Sequence, residues 1–280
     1  MATSWLALVV GNTRSHWGYF DRGVLLATWH TAHLSMLAVE RARAQPYPQS
    51  AWLLINNLLS GDLSDRQRAL PYPQDMSLPV ELWLASVVPN QTRLWDQIVP
   101  DVRIVRRSHI PLKNIYPTFG IDRAVNLVGA KQALGLPTLI IDSGTALTLT
   151  AGANDSVYGG AILPGLRLQI ESLGQQTARL NSLLPAEIAT AQKLPERWAN
   201  DSEGAIASGI AYGLTSTCID YIIDWWRQFP TGSVVLTGGD GSLIYQYIKQ
   251  RTPEIASRVL VDSDLMFKGM QVYRRLILES

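Results

Sequence analysis

The chain has 280 residues, 47% of them hydrophobic and 17% charged, which excludes a disordered or fibrous protein and leaves room for two domains of ordinary size. Lysine and arginine number 24 against 23 aspartates and glutamates, so a net charge of +1 offers no broad field for a nucleic acid or an anionic membrane. Cys218 is the only cysteine, excluding an internal disulfide and a cysteine-based zinc site, and a reducing, cytoplasmic address with a small-molecule partner is expected.

Trp5–Val10 is apolar but short and has no basic residue before it, unlike a signal peptide. No run of apolar residues reaches the ~18 needed for a membrane span. With His16–Phe20 and Val24–Trp29, this first run predicts a three-stranded meander, broken at Gly11-Asn12-Thr13-Arg14 and at Asp21-Arg22-Gly23. Prolines 46, 48, 71, 73 and 79 punctuate the next stretch, where helical segments alternate with the strand candidates Trp52–Ile55, Glu81–Val88 and Val102–Val105. The strand pattern ends around Tyr116–Gly120, and a helix is predicted from about Asp122 to Leu134.

Thr138–Ile141 then begins a second α/β unit, with Leu147–Thr150 and Val157–Leu163 as further strands. A long helix is expected between Asp201 and Phe229, carrying Gly204, Ala205, Ala207, Ser208, Gly209, Ala211 and Gly213, residues small enough for close packing within the domain or across a dimer. Ser233–Leu236 is a strand entering Thr237-Gly238-Gly239-Asp240-Gly241, followed by a helix over Ser242–Gln250. Trp225, Trp226 and Cys218 read as core residues. The four histidines, 16, 30, 33 and 109, show no metal pattern beyond the weak spacing of His30 and His33, and read as surface or strand residues.

The two halves share a plan. Laying Gly11 on Gly144, 133 residues on, matches Val9 with Asp142, Asn12 with Thr145 and Thr13 with Ala146. Nothing recurs at the 20–50-residue spacing of a solenoid, so this is a duplicated supersecondary unit, with a cleft expected between the halves.

Gly11-Asn12-Thr13 and Ser143-Gly144-Thr145 are tight turns whose backbone N–H groups and hydroxyls suit phosphate oxygens, although ordinary hairpin turns use the same residues. Thr237-Gly238-Gly239 opens a helix, where exposed backbone suits a nucleotide, and Gly159-Gly160 and Pro164-Gly165 flank Ala161–Leu163. Asp122 stands at a helix start beside Arg123. A lone aspartate there is by default a cap, but a carboxylate with a neighbouring cation also suits a general base for phosphoryl transfer.

Taken in order, these segments resemble the type III pantothenate kinases, members of the acetate kinase, sugar kinase and actin superfamily. Gly11-Asn12-Thr13 is similar to the family's first phosphate motif, Gly120-Ile121-Asp122-Arg123 to its Gly-x-Asp-Arg motif and Asp142-Ser143-Gly144-Thr145-Ala146 to its second phosphate motif. Gly159–Gly165 and Thr237–Gly239 supply the remaining blocks.

The resemblance implies an α/β chain of two duplicated ribonuclease H-like (actin-like ATPase) domains, 1–118 and 119–280, with an interdomain cleft. It implies phosphorylation of pantothenate by ATP with Mg²⁺ and a monovalent cation, K⁺ or NH₄⁺, in a homodimer, with Asp122 as the base and Tyr116, Gly120, Ile121 and Arg123 around the substrate. Ser202 falls where the family has an Asn-Thr pair, and its hydroxyl is expected at pantothenate. Gly11, Asn12, Thr13, Arg14, Ser143, Gly144, Thr145, Ala146, Gly238 and Gly239 are the expected ATP contacts, and Asp142 the metal ligand.

Two departures stand out. The family carries an Asp two residues before its first glycine, where this chain has Val9, and no acid follows Thr148-Leu149-Thr150-Ala151 until Asp155. Mg²⁺ keeps several waters and commonly needs only one or two carboxylates, so Asp142 suffices in principle. Two other functions compete. Leu139-Ile140-Ile141-Asp142-Ser143-Gly144-Thr145 also resembles an aspartic-protease signature, but that mechanism needs a carboxylate dyad and Val9-Val10-Gly11-Asn12 supplies no partner. A nucleotide-binding regulatory protein whose chemistry has lapsed is the alternative that Val9 favours.

Overall fold

The computed structural model describes residues 4–43, 81–99, 101–176 and 193–280, and the expected strand Trp52–Ile55 lies outside them. The chain forms two compact units. The first takes residues up to Pro111, Tyr116–Gly129 and Met266–Ser280, and the second Leu112–Ile115 and Ala130–Leu265. The expected boundary after residue 118 falls inside the Tyr116–Gly129 stretch of the first unit.

In the first unit, β1 (Ser4–Val10), β2 (Ser15–Asp21) and β3 (Val24–Thr31) form the meander, and β4 (Glu81–Ser86) and β5 (Arg103–Ile104) extend it in the order β3-β2-β1-β4-β5. β1 is antiparallel to β2 and parallel to β4. Central placement accounts for its sequence, which is apolar on both faces rather than alternating. Arg22 and Gly23, at φ 47° and 81°, make the two-residue turn that joins β2 to β3, with the positive φ pair that matches strand twist. Leu6, Leu8, Val10, Trp17, Tyr19, Leu82 and Leu84 build one core face, closed by α1 (Met36–Arg43) and α2 (Pro89–Ile98) through Val39, Leu94, Trp95 and Ile98.

The second unit repeats this plan. β6 (Thr138–Ser143), β7 (Ala146–Ala153), β8 (Ser156–Pro164), β9 (Ser233–Thr237) and β10 (Val259–Val261) stand in the order β10-β9-β6-β7-β8. β6 is antiparallel to β7 and parallel to β9, as β1 is to β2 and β4. Asn154 and Asp155 occupy the hairpin position of Arg22 and Gly23, again with positive φ. One difference is local: Val10 pairs with Ser15 and its counterpart Ser143 with Leu147, so the first loop is one residue longer than the second.

The helices that follow are α3 (Ile121–Leu134), α4 (Leu166–Gln176), α5 (Ser202–Gln228), α6 (Gly241–Arg251), the short α7 (Pro253–Ala256) and α8 (Leu265–Glu279). α5 starts at Asp201, whose carboxylate accepts the Gly204 N–H at 2.7 Å, and ends at Phe229. It has no charged residue between Glu203 and Asp220, and it is the one helix among the described residues long and apolar enough to cross a membrane. Ser, Thr and Gly interrupt its apolar run. Its apolar face, with Ile206, Ile210, Leu214, Cys218, Ile222 and Trp225, is spent on the second core.

α8 is the element that the sequence did not announce. It packs in the first unit: a Cβ on Gly18 would stand 2.7 Å from Phe267, a Cβ on Gly269 would run into the Val125 carbonyl of α3, and Arg274 meets Glu81 at 2.7 Å. Gly269 is therefore fixed by the closeness of two helix backbones.

Candidate active site

In the first unit the Gly11–Arg14 loop is closed by the Gly11 N–H donating to the Arg14 carbonyl at 3.0 Å. Asn12, Thr13 and Arg14 are exposed at its rim. The carbonyl of Gly11 is held at 2.9 Å by Nε2 of His33. His16 and His30, opposite each other on β2 and β3, meet edge to face with ring centroids 4.6 Å apart. His16 and His30 are strand residues, as expected, and what the sequence does not display is their contact with each other and that of His33 with the loop. The missing signal was strand register, which one sequence does not display.

The same unit holds the Gly120–Arg123 block. Asp122 lies in the first turn of α3, half-buried, and its Oδ1 accepts the Arg123 N–H at 2.7 Å. Burial raises its pKa above the ordinary value, against the opposing pull of that hydrogen bond and of the Arg123 charge. A Cβ on Gly120 would press on Asp122 Oδ1 and displace that carboxylate from its present position.

The Arg123 guanidinium is buried and donates to the Tyr116 hydroxyl at 3.1 Å, while stacking on Phe119 with its carbon 4.7 Å from the ring centre. Phe119, wholly buried, was not singled out from sequence. It meets Tyr116 edge to face at 5.1 Å, and its carbonyl takes a hydrogen bond from Arg107 at 3.2 Å. Tyr116, Phe119 and Arg123 contact one another, Asp122 is joined to them through the Arg123 N–H, and Ile121 is buried.

In the second unit, three sequence blocks converge on one loop. Gly144 donates its N–H to the Ala146 carbonyl at 3.1 Å. Gly165 donates to Thr145 at 2.9 Å, and a Cβ there would run into the Gly144 carbonyl and stand 2.6 Å from that of Thr145. Gly238, at φ +84°, sits against the other side: a Cβ would meet Asp142 Oδ1 and come within 2.6 Å of the Ser143 carbonyl. Gly239 faces open space.

Asp142 is half-buried and pairs in register with Thr237 on β9 and Thr148 on β7. The hydroxyls of Ser143 and Thr237 are buried without a hydrogen-bond partner. A bare-backbone cradle with orphaned hydroxyls beside a carboxylate fits a triphosphate and its cation. Ser202 lies apart from this cradle in sequence, at the start of α5, on an open groove of about 400 Å³ lined by Leu173, Ala205, Ile206, Gly209 and Ile210.

Among the described residues no group of three or more His, Cys, Asp or Glu side chains forms a metal site.

The family model for type III pantothenate kinase matches residues 5–224. A type III pantothenate kinase from Nostoc sp. (strain PCC 7120 / SAG 25.82 / UTEX 2576) is 40% identical over 276 residues, covering 95% of this chain and 93% of that one. Among solved structures, a Baf family transcriptional activator from Campylobacter jejuni aligns with TM-score 0.58 at 15% identity, over 98% of this chain and 100% of that one. A ROK family glucokinase from Streptomyces griseus in complex with glucose and AMPPNP aligns with TM-score 0.50 at 13% identity, over 99% and 100%. At those identities the structures speak for the shared actin-like, sugar-kinase fold alone. Family model and sequence identity go further: the chain belongs to the type III pantothenate kinase family.

Proposed function

We propose that this protein phosphorylates pantothenate with ATP, giving 4'-phosphopantothenate in the first step of coenzyme A biosynthesis. The primary hydroxyl oxygen of pantothenate forms a bond to the γ-phosphorus, the bond from that phosphorus to the β,γ-bridging oxygen breaks, and ADP leaves with the electron pair. Asp122 takes the hydroxyl proton. The observation that carries this assignment is the state of Asp122: burial lifts its pKa towards the range where a carboxylate is a competent base, and the Arg123 N–H fixes one oxygen.

Arg123, Tyr116, Gly120 and Ile121 position the acceptor. Arg123 suits a carboxylate, and its tie to Tyr116 and Phe119 means that little side-chain freedom is lost on binding. The loops Gly11–Arg14 and Ser143–Ala146, with Gly238 and Gly239, are assigned to ATP, and Asp142 to Mg²⁺, which neutralises charge on the phosphates when bound. K⁺ or NH₄⁺ is the expected monovalent partner, and the cytoplasm the expected location.

A homodimer is also proposed. Support comes from the exposed stripe Ser202, Ala205, Gly209, Gly213 and Ser216 on α5, where a Cβ on Gly209 or Gly213 meets nothing within 4 Å. Ser202 on that stripe is assigned to pantothenate.

Val9 favours the alternative of a nucleotide-binding regulatory protein without chemistry. Against it stands the intact patch around Asp122. An acceptor panel separates the two: ADP release should appear with pantothenate and stay at background with glucose or a sugar acid. Equal background rates with all acceptors favour the regulatory protein.

A further inference from the structure

At the end of each sheet a strand pair beside the loop carries polar side chains, on both strands in the second unit and on one in the first. In the second unit they are Asp142 on β6 and its partner Thr148 on β7. The equivalent pair in the first unit is Val9 on β1 and His16 on β2, and directly opposed residues of an antiparallel pair project from the same face. In the first unit only the second strand of the pair carries a polar side chain there. Val9 is 2% exposed, while the His16 ring is only partly covered, and its Nε2 lies 3.8 Å from where a Cβ on Gly11 would stand.

No hydrogen bond engages either ring nitrogen of His16 among the described residues. Behind it, His30 packs edge to face, with its own Nδ1 buried and without a hydrogen-bond partner. An imidazole held against a glycine turn by its neighbour, with a nitrogen directed at the loop and unspent, is organised for an anion in that loop.

We infer that His16 contacts the phosphates of the bound nucleotide, donating a hydrogen bond from Nε2 beside the Gly11–Arg14 loop, at the strand position opposite Val9. The inference rests on the assignment of the Gly11–Arg14 loop to ATP. The charged and titratable groups facing His16 are His30 on β3 and Arg14 in the loop, both of which disfavour its protonation, after burial as the larger cause. Free, it titrates at about 4 and is neutral at physiological pH. A neutral donor avoids the repulsion that a carboxylate would meet from phosphate. A bound polyanion must then raise its pKa, and by more than it would for an imidazole held away from the phosphates.

The test is carried out on the full chain with AMPPNP. With four histidines in the sequence, His16→Gln and His30→Gln identify the ring resonances. The wild-type His16 resonance is expected to move on saturation with AMPPNP and to titrate at least about one pH unit higher than in the free protein. His16→Ala should weaken AMPPNP about tenfold or more, with KM for ATP rising in parallel and KM for pantothenate unchanged.

An unmoved resonance, or affinity within about twofold, overturns the inference, and if His16→Ala fails to fold, the wild-type resonance, assigned through the glutamine variants, still decides. Pantothenate phosphorylation with a silent His16 leaves the kinase assignment standing and removes this one. A shifted His16 without phosphorylation does the reverse.

Discussion

Replacing Asp122 by asparagine separates the two roles a carboxylate can have at a helix start. Asparagine keeps an Oδ1 acceptor for the Arg123 N–H, now at 2.7 Å, and leaves the Arg123 bond to Tyr116 and its stacking on Phe119 untouched. It removes the lone pair that accepts the substrate proton, and turnover should fall by about 10²- to 10⁴-fold, about 3 to 5.5 kcal/mol of barrier.

Stability should respond in the other sense. Because burial raises the folded pKa, the native protein holds this proton more tightly than the unfolded chain does. The stability so gained is full below the ordinary value of 3.8 and is lost as pH rises through the folded value. At neutral pH the buried carboxylate is thus a cost to folding that asparagine relieves, offset by a weaker interaction with the helix N-terminus. The variant's melting temperature should match the wild type within about 3 °C at pH 7.5, and its advantage should grow from pH 4 to pH 7.5. Phosphopantothenate formation and melting curves at both pH values read this out. Turnover within tenfold of wild type would reduce Asp122 to a cap, and a collapse of the fold would show that its structural part dominates.

Three further outcomes follow from the packing. Gly238→Ala forces a side chain onto a backbone at φ +84° and against the Ser143 carbonyl, so about 1 to 3 kcal/mol of stability and most ATP affinity should be lost; an unchanged KM for ATP would contradict the cradle. Val9→Asp puts a carboxylate at a position that is 2% exposed, and its melting temperature should fall by several degrees and partly recover with Mg²⁺. Equal melting with and without the metal would mean that Asp142 already suffices. Gly209→Arg fills open space on α5, so it should leave the fold intact and shift sedimentation from dimer to monomer; a dimer that persists would place the interface elsewhere.

The duplication was legible because each half opens with an apolar strand, a turn of small polar residues and a second strand, a pattern local enough to survive in sequence. Asp122 was legible as a helix-start carboxylate for the same reason; the structure puts it one residue inside the helix, in the first turn, half-buried and accepting the Arg123 N–H. What stayed hidden is long-range. That Gly165 and Gly238 press on opposite sides of one loop depends on strand order. That α8 belongs to the first unit depends on Gly18 and Phe267, about 250 residues apart in sequence, coming into contact. The partners of His16 depend on register, and a single residue of slip would have turned it to the other face.

Phosphoryl transfer to pantothenate can be tested directly on the purified protein. Purified protein incubated with γ-labelled ATP, Mg²⁺, K⁺ and pantothenate should yield labelled 4'-phosphopantothenate, identified by mass, in one-to-one ratio with ADP. Absence of that product under every divalent and monovalent cation tried, with AMPPNP still bound, would contradict it.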